Sequence, residues 1–349
     1  MLREQTDNRI PVLSVENLTI SLKDGTPVTN SISFDIMPGE ILGLVGESGC
    51  GKSVTALSLM GLLADSMEVT EGSAVFTPAA GRIATRGDGL GSIDLFSVTP
   101  KQRSRVNGSR IAMIYQEPMS ALNPLQKIGK QVGEVLKLHS DLDDAAIREK
   151  VLSMLERVDL KDPERVYGSY PHQLSGGQRQ RICIAMAAIA EPALLVADEP
   201  TTALDVMTQE EILSLIRRLN RKNGTAVLFI SHDLSVIEKI CSQVMIMYAG
   251  SAVEYGSTGD ILRMPAHPYT IGLLRSIPGP DKKGSALDCI PGRVPSVHDP
   301  KEPCPFAPRC FMAKPVCTMR RPPRADFEED HHVYCHFANE RQRSRWNSP

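Results

Sequence analysis

The sequence lacks a long apolar run and lacks an excess of charge of either sign. Its longest apolar stretch, residues 182–190, covers less than half of the roughly 20 residues that a membrane-spanning helix needs. Residues 1–9 are polar and charged, without the apolar core of an export signal. The formal net charge of -2 gives no electrostatic reason to expect nucleic acid as the main partner. We therefore expect a soluble protein whose role at a membrane depends on a partner.

Tight C-x2-C pairs, which zinc ribbons favour, are also missing. Four of the eight cysteines nevertheless crowd into the tail, with the wide spacing C-x5-C-x6-C-x17-C. These four are Cys304, Cys310, Cys317 and Cys335. Without an export signal, disulfides are the less favoured use. Wide spacing tolerates a [4Fe–4S] cluster held by four thiolates, and structural zinc and free thiols are the alternatives. Three nearby histidines are possible substitute ligands that we expect at the surface: His331, His332 and His336.

Short apolar runs alternate with helical periodicity along most of the chain, which predicts an α/β protein. The runs at 41–45, 193–197 and 226–230 are almost entirely apolar. Strands that are buried on both faces of a parallel sheet have this composition. We therefore expect these three runs to be strands of a parallel sheet.

The rest of the chain divides by composition. A helical insert is expected at about 117–185, and a surface loop at 78–109, where Gly, Ser, Thr and Arg show little periodicity. From about residue 265, Pro, Arg, His and Cys become dense. We therefore predict a core domain at 1–264 and a small Cys-rich C-terminal extension at 265–349.

A glycine-rich segment between an expected strand and an expected helix matches the phosphate-loop pattern G-x-x-x-x-G-K-[ST]. Its residues are Gly46, Glu47, Ser48, Gly49, Cys50, Gly51, Lys52 and Ser53. The glycines let backbone N–H groups turn towards phosphate oxygens, and the next helix adds the positive end of its dipole. We expect Lys52 to reach the β- and γ-phosphates and Ser53 to bind Mg²⁺. We assign no chemistry to Cys50.

Two acidic residues end the apolar run at 194–197. Ligands of parallel sheets bind beyond the carboxyl ends of strands, so Asp198 and Glu199 are expected to face the phosphates. Because successive strand residues point in opposite directions, the two can take different roles. We assign Asp198 to Mg²⁺, directly or through water, and Glu199 to the general base that orients and deprotonates the attacking water. A solvated turn that caps the next helix is the structural alternative.

A second anion site is predicted where residues 174–178 read LSGGQ ahead of a helix. Ser175 is a good helix cap, and Gly176 and Gly177 expose backbone N–H groups at the helix start. A single nucleotide cannot easily contact both this helix start and the helix start at the phosphate loop from the same side. We therefore expect the turn from Ser175 to Gln178 to face the nucleotide of another subunit. An ordinary helix cap with flexible glycines is the alternative explanation.

The LSGGQ segment resembles the signature motif of ATP-binding cassette (ABC) ATPases, and the other motifs of that family occur in the right order. The resemblance implies a P-loop NTPase core with an antiparallel β subdomain and a helical subdomain. It also implies that Gln116 contacts Mg²⁺ and the attacking water, that Asp205 belongs to the D-loop, and that His232 contacts the γ-phosphate. Leu22 stands where the family usually stacks an aromatic ring on adenine. An aliphatic side chain lacks the π-face, a loss of about 1 kcal/mol.

The branch of the family is indicated by segments near the end of the chain. Residues 247–250 (MYAG), 267–274 (HPYTIGLL) and 304–310 (CPFAPRC) resemble the ATPases of dipeptide, oligopeptide and nickel importers. Those relatives are taken to hold a [4Fe–4S] cluster in this region, which favours the cluster over zinc. The resemblance implies the ATPase of a peptide importer, with nickel and glutathione importers as alternatives.

The resemblance further implies a head-to-tail dimer that closes on two ATP molecules. Each ATP would lie between the phosphate loop of one chain and the Ser175 turn of the other. The implied partners are a second, distinct ABC ATPase, two transmembrane permease subunits and, indirectly, an extracytoplasmic solute-binding protein. A groove near Gln116 and the helical insert is expected to hold a short cytoplasmic helix of the permease. The implied location is the cytoplasmic face of the inner membrane.

Two other kinds of ABC protein are less consistent with the sequence. A soluble ABC ATPase that acts on ribosomes or DNA normally has two cassettes or a long coiled-coil insertion, and a basic surface, none of which is visible. A regulatory cassette that does not hydrolyse ATP would not need Glu199 and His232, and both are intact.

Overall fold

A computed structural model describes residues 10–78, 91–116, 121–202, 204–277, 289–299, 303–327 and 331–338. Within these ranges the strands form two sheets, one of four strands and one of eight. The strands are β1 (Leu13–Leu22), β2 (Pro27–Ile36), β3 (Ile41–Val45), β4 (Met67–Phe76), β5 (Ile93–Asp94), β6 (Ile111–Ile114), β7 (Leu194–Asp198), β8 (Ala226–Ser231), β9 (Gln243–Tyr248), β10 (Ser251–Ser257), β11 (Arg324–Asp326) and β12 (His332–Tyr334).

Helices cover the larger sheet and join its strands. The helices are α1 (Lys52–Met60), α2 (Pro100–Val106), α3 (Ile128–His139), α4 (Asp144–Arg157), α5 (Pro163–Gly168), α6 (Gly176–Ala188), α7 (Val206–Asn223), α8 (Leu234–Ile240), α9 (Thr258–Arg263), α10 (Pro268–Ser276) and α11 (Pro315–Met319). None of the helices in the described ranges is long and apolar enough to cross a bilayer.

The larger sheet has the strand order β11-β12-β10-β9-β3-β8-β7-β6. Its strands from β9 to β6 are parallel, whereas β10, β12 and β11 are antiparallel additions. Every residue of β3, β7 and β8 is buried, which confirms the buried parallel strands expected from the three apolar runs. The carboxyl ends of β3, β7 and β8 therefore lie at the same edge of the sheet.

The smaller sheet is antiparallel, in the order β2-β1-β4-β5. Part of it comes from the segment 78–109, where the expectation of a surface loop is wrong for the residues that form β5 and α2. Residues 93–94 form β5, and 100–106 form α2, which begins in a capping box of Thr99 with Gln102. Such local side-chain bonds stabilise a short helix without apolar periodicity. Residues 79–90 lie outside the described ranges.

The described part of the tail packs onto the main sheet. Strand β12 pairs with β10, and β11 pairs with β12. Phe306 belongs to the core cluster that includes Tyr248 and Tyr269, and its ring meets the Tyr248 ring edge-on at 5.1 Å. Helices α3 to α6 occupy the interval between β6 and β7. The predicted boundary near 265 and the separate Cys-rich extension stay predictions.

Candidate functional site

The phosphate loop joins β3 to α1. Gly51 caps α1 with φ of +99°, a backbone conformation that L side chains rarely adopt. A Cβ at Gly46 would lie 2.2 Å from the carbonyl oxygen of Met247, so the close approach of the loop to the end of β9 requires glycine. Lys52 folds back over the loop, and its Nζ donates to the carbonyl oxygens of Gly46 (2.7 Å) and Glu47 (3.1 Å).

The end of β7 faces the start of α1. Ser53 Oγ donates to Asp198 Oδ1 at 3.1 Å. Asp198 is only 5% exposed, and this burial raises its pKa. The charge of Glu199 raises the pKa of Asp198 further, whereas the hydrogen bond from Ser53 and the charge of Lys52 lower it. A buried carboxylate with a nearby hydroxyl, at a glycine-rich loop, is a suitable oxygen donor set for Mg²⁺.

Three side chains from separate parts of the chain converge on one oxygen of Glu199. Its Oε2 accepts a hydrogen bond from Thr202 Oγ1 (2.7 Å) and from Gln116 Nε2 (3.4 Å). His232 Nδ1, at the end of β8, lies 3.1 Å from the same oxygen. The backbone of Glu199 has φ of +46°, and its N–H donates to the carbonyl oxygen of Ile230. The fold thus joins Gln116, Glu199 and His232 in one contact network.

The Ser175 turn forms the expected helix cap. Gln178 N donates to Ser175 Oγ (3.3 Å), and Ser175 N donates to Gln178 Oε1 (3.0 Å), which is a complete capping box. Gly176 is exposed, and a Cβ built there would have no neighbour within 4 Å. One turn later Gln180 Nε2 donates to the carbonyl oxygen of Pro200 (2.6 Å). This bond links the cap helix α6 to the segment that follows Glu199.

Two other predicted residues lie further from this network. Leu22 is half-buried at the end of β1 in the smaller sheet, where it pairs with Met67. Asp205 caps α7 by accepting from Thr208 N (3.0 Å) and Thr208 Oγ1 (2.7 Å), and these bonds lower the pKa of the Asp205 carboxyl. Ala203, two positions before Asp205, and residues 117–120, which follow Gln116, lie outside the described ranges.

The structure adds two residues that the sequence interpretation missed. Thr202 follows Glu199 by three positions, a spacing at which a turn can return a hydroxyl to the carboxylate. Gln180 lies inside α6, and no local pattern distinguishes it from an ordinary helical residue. Both contacts depend on how the segment after β7 folds against α6.

The four tail cysteines are neighbours. Burial is the main cause that raises the pKa of Cys335 to about 11, and Cys304, Cys310 and Cys317 raise it further through their charge. The backbone N–H of Cys304 donates to the carbonyl oxygen of Cys317 (3.1 Å). In the described part of the chain, however, no three His, Cys, Asp or Glu side chains are placed to hold a metal ion. A single zinc ion requires sulfurs that converge at about 2.3 Å from one point.

The tail histidines have other contacts. His331 is buried, contrary to the expectation of a surface position, and its Nε2 lies 2.8 Å from Glu254 Oε1. His332 stacks on the ring of Tyr255, and His336 Nε2 lies 3.0 Å from the carbonyl oxygen of Arg320. These contacts leave the four cysteines as the ligand candidates.

A P-loop ATPase is the class of protein that this fold and site define. Residues 29–202 match the ABC transporter family model, and residues 253–317 match the model of the oligopeptide/dipeptide transporter C-terminal region. The chain belongs to the ABC transporter family, as an ABC-type ATPase. The dipeptide transport ATP-binding protein DppD of Bacillus subtilis is 43% identical over 95% of this chain and 96% of its own length. The oligopeptide transport ATP-binding protein OppD of Escherichia coli is 41% identical over 90% of both chains.

Solved structures show the same fold. The cbiO1 protein of Clostridium perfringens, part of the ABC transporter complex cbiONQ, matches with a TM-score of 0.60 at 25% identity, over 72% of this chain and 90% of its own. The ATP-binding cassette MJ0796, in a dimeric post-hydrolysis state bound to ADP and phosphate, matches with a TM-score of 0.59 at 25% identity. That match covers 70% of this chain and 98% of MJ0796.

Proposed function

We propose that this chain hydrolyses ATP at the site built by the phosphate loop and the ends of β7 and β8, and that this drives import of peptides through a membrane permease. The convergence of Gln116, Thr202 and His232 on Glu199 Oε2 is the main support. A carboxylate held by several partners is fixed in position, which a general base for an attacking water requires. Glu199 is therefore the proposed base, and His232 and Gln116 orient the reacting groups.

The magnesium ligands are proposed on the same grounds. Ser53 Oγ and Asp198 Oδ1 already lie in contact, and both are oxygen donors of the kind that Mg²⁺ prefers. Lys52 and the N–H groups of residues 46–53 bind the phosphates. Mg²⁺, when bound, neutralises charge on the β- and γ-phosphates during the reaction. The positive charge of the cation would lower the pKa of Asp198 and so offset the effect of burial.

The second half of each site is proposed to come from another subunit. The capping box leaves Ser175 and Gly176 exposed at the start of α6, where the N–H groups and the helix dipole favour an anion. Dimers are the form in which the cassette MJ0796 was solved. We therefore propose that the Ser175–Gln178 turn and Asp205 face the nucleotide of a companion ATPase, a related but distinct chain.

A groove beside Gln116 is the proposed contact with the permease. It has a volume of about 340 Å³ and lies between the end of β6 and the helices α3 and α6. Its lining is mainly apolar, with Met60, Leu62, Tyr115, Val135 and Met186 among its residues. A groove of this kind fits the apolar face of a short helix. Because Tyr115 precedes Gln116, a permease helix in the groove would be sensitive to the state of the site. We propose that the subunit binds the permease in this way at the cytoplasmic face of the membrane.

Peptides are the proposed cargo because DppD and OppD are named as dipeptide and oligopeptide transport proteins, and because the tail matches the same group. An extracytoplasmic binding protein would deliver them to the permease. Uptake of labelled di- and oligopeptides should disappear when Lys52 is replaced by Met, while nickel and glutathione uptake stay unchanged. Loss of nickel or glutathione uptake instead would assign the other cargo. Co-purification with ribosomes rather than membrane proteins would contradict the transporter role.

We also propose that Cys304, Cys310, Cys317 and Cys335 hold a [4Fe–4S] cluster. Besides burial, Cys304, Cys310 and Cys317 raise the pKa of Cys335 through their charge, and Cys310 and Cys317 do the same to Cys304, which supports a shared location for the four thiols. They do not form a single-ion site in the described residues, and a cluster with one thiolate on each iron spreads its ligands more widely. We assign the cluster no redox role. It would join α11 and β12 to the turn that contains Phe306, in a region with little core of its own.

Iron and acid-labile sulfide, measured on protein purified without oxygen, test this proposal. We expect both in the wild-type chain and their loss in Cys317→Ser. The matched control is Cys289→Ser, which changes an exposed cysteine outside the group of four. Zinc in place of iron, or wild-type protein without metal, would contradict the cluster.

A further inference from the structure

The acidic side chain in the phosphate loop pairs with an arginine far away in the sequence. Glu47 is the second residue of the loop, and Arg309 lies 262 positions later. Arg309 Nη1 donates to Glu47 Oε2 at 2.8 Å, and Nη2 donates to Oε1 at 3.2 Å. The pair is therefore bidentate, the geometry in which an arginine binds a carboxylate most strongly and most specifically.

Arg309 is held in a fixed position. It is 8% exposed and ends a 3₁₀ turn, Ala307–Arg309, between two of the tail cysteines. Its Nε donates to the carbonyl oxygen of Pro291 (2.8 Å), and its guanidinium lies over the ring of Tyr248. Since these partners are already in place, little additional side-chain entropy is lost when Arg309 binds the loop.

A second contact holds the backbone of the same loop residue. The N–H of Glu47 donates to Tyr269 Oη at 3.0 Å, and Tyr269 is fully buried in α10. Glu47 is thus bound at its carboxylate and at its backbone by residues that both follow position 264. The phosphate loop is connected through one residue to the part of the chain that also contains the four cysteines.

The charge of Glu47 matters because the loop binds a polyanion. A carboxylate beside a triphosphate repels it, and the repulsion is strong in a partly desolvated site. Arg309 neutralises that carboxylate and keeps it turned towards the tail. The remaining cation of the loop, Lys52, bonds only backbone carbonyl oxygens and the Cys50 sulfur among the contacts described, so Arg309 rather than Lys52 neutralises the Glu47 carboxylate.

We propose that Arg309 is a positioning residue for the ATP site, which neutralises Glu47 and thereby sets the affinity of the phosphate loop for nucleotide. This inference rests on the proposed function, because it takes residues 46–53 as the phosphate-binding loop. It makes the tail a determinant of nucleotide affinity, beyond any contact that the tail makes with other subunits.

The experiment measures ADP binding to the full-length chain by titration calorimetry, together with KM and kcat for ATP. In Arg309→Met we expect the Kd for ADP to rise by about tenfold or more, because the unpaired Glu47 carboxylate then repels the polyanion in a partly desolvated site. In the double variant E47Q/R309M we expect most of the affinity to return. Glu47→Gln alone should bind ADP more tightly than wild type, because Arg309 then adds uncompensated positive charge. Arg293→Met, an exposed arginine of the same region paired with Asp299, is the matched control and should bind normally.

Each result decides a separate point. Unchanged ADP affinity in a folded Arg309→Met variant overturns the inference, and so does a loss that Glu47→Gln fails to reverse, because packing alone would then explain it. If Arg309→Met does not fold, the Glu47→Gln variant decides, and weaker ADP binding there overturns the inference. If the wild-type chain binds no ADP, the phosphate-loop assignment itself fails.

Discussion

Replacing Glu199 by Gln tests the centre of the proposed site with the smallest possible change of shape. Glutamine keeps an oxygen that can accept from Thr202, whose Oγ1 lies 2.7 Å from Glu199 Oε2. It removes the negative charge and the ability to accept the proton of the attacking water. Because Thr202, Gln116 and His232 surround a single oxygen, we expect the amide to occupy the same place. The fold and the phosphate loop should be unaffected.

The expected loss of turnover follows from the role assigned to the carboxylate. General-base catalysis contributes about 10²–10⁴-fold to a rate, or about 3–5 kcal/mol of barrier. Nucleotide affinity should be retained, because the charge of Glu199 raises the pKa of Asp198 and so opposes its role as a cation ligand. Removing that charge favours the ionised form of Asp198. ATP should therefore stay bound while hydrolysis stops, and a closed dimer should accumulate.

Single-turnover phosphate release and size-exclusion chromatography in Mg²⁺ and ATP, with the companion ATPase present, measure the two effects. Glu238→Gln, which changes an exposed glutamate of α8, is the matched control and should hydrolyse ATP normally. A Glu199→Gln variant that releases phosphate at the wild-type rate would show that another group orients and deprotonates the attacking water. A variant that no longer binds ATP would show that the carboxylate acts in binding instead.

Two further predictions separate chemistry from folding. Burial holds the pKa of Asp198 above its ordinary 3.8, so the folded state binds the carboxyl proton more tightly than the unfolded state does. The folded state therefore loses stability as the pH rises from 3.8 through the higher pKa of folded Asp198. Asp198→Asn should therefore raise the melting temperature of the nucleotide-free chain at neutral pH, and the increase should shrink as the pH falls towards 3.8. The same variant should lose Mg²⁺-dependent hydrolysis. A lower melting temperature at neutral pH would contradict this reasoning. Gly176→Ala meets no atom within 4 Å and replaces a helical glycine, so stability should be unchanged or up to about 1 kcal/mol higher. ATPase activity of the assembled transporter should nevertheless fall, and normal activity would argue that no nucleotide approaches this turn.

Local patterns in the sequence were sufficient for the central strands and the phosphate loop. The runs that became β3, β7 and β8 are almost entirely apolar, and burial on both faces of a sheet favours that composition. The loop at 46–53 depends on glycines at set spacings, and these are visible without a fold. The cap formed by Ser175 and Gln178 is equally local, since it joins residues three positions apart.

The roles of Gln116 and His232 came from the resemblance to a family, because local patterns do not reveal them. A glutamine at 116 has no distinctive local setting, and a histidine at 232 has only the buried strand before it and Asp233 after it, so their order among the other motifs indicated their roles. Their meeting on Glu199 depends on β6, β7 and β8 lying side by side, with their carboxyl ends at one edge. Even so, the positive φ of Glu199 was not predictable, because nothing in its residue type favours that conformation.

The sequence by itself determined that this chain has a glycine-rich loop of the phosphate-binding pattern, a pair of carboxylates at a strand end and a capped, glycine-rich helix start, because each is a short-range pattern of residue types. Only the tertiary structure decided which distant side chains meet. Arg309 reaches Glu47 across 262 positions, and β12 joins β10 at the edge of the sheet. The packing of the whole chain decides which of the many glutamates pairs with this arginine. Ion pairs in water contribute so little free energy that charge alone does not select one partner over another.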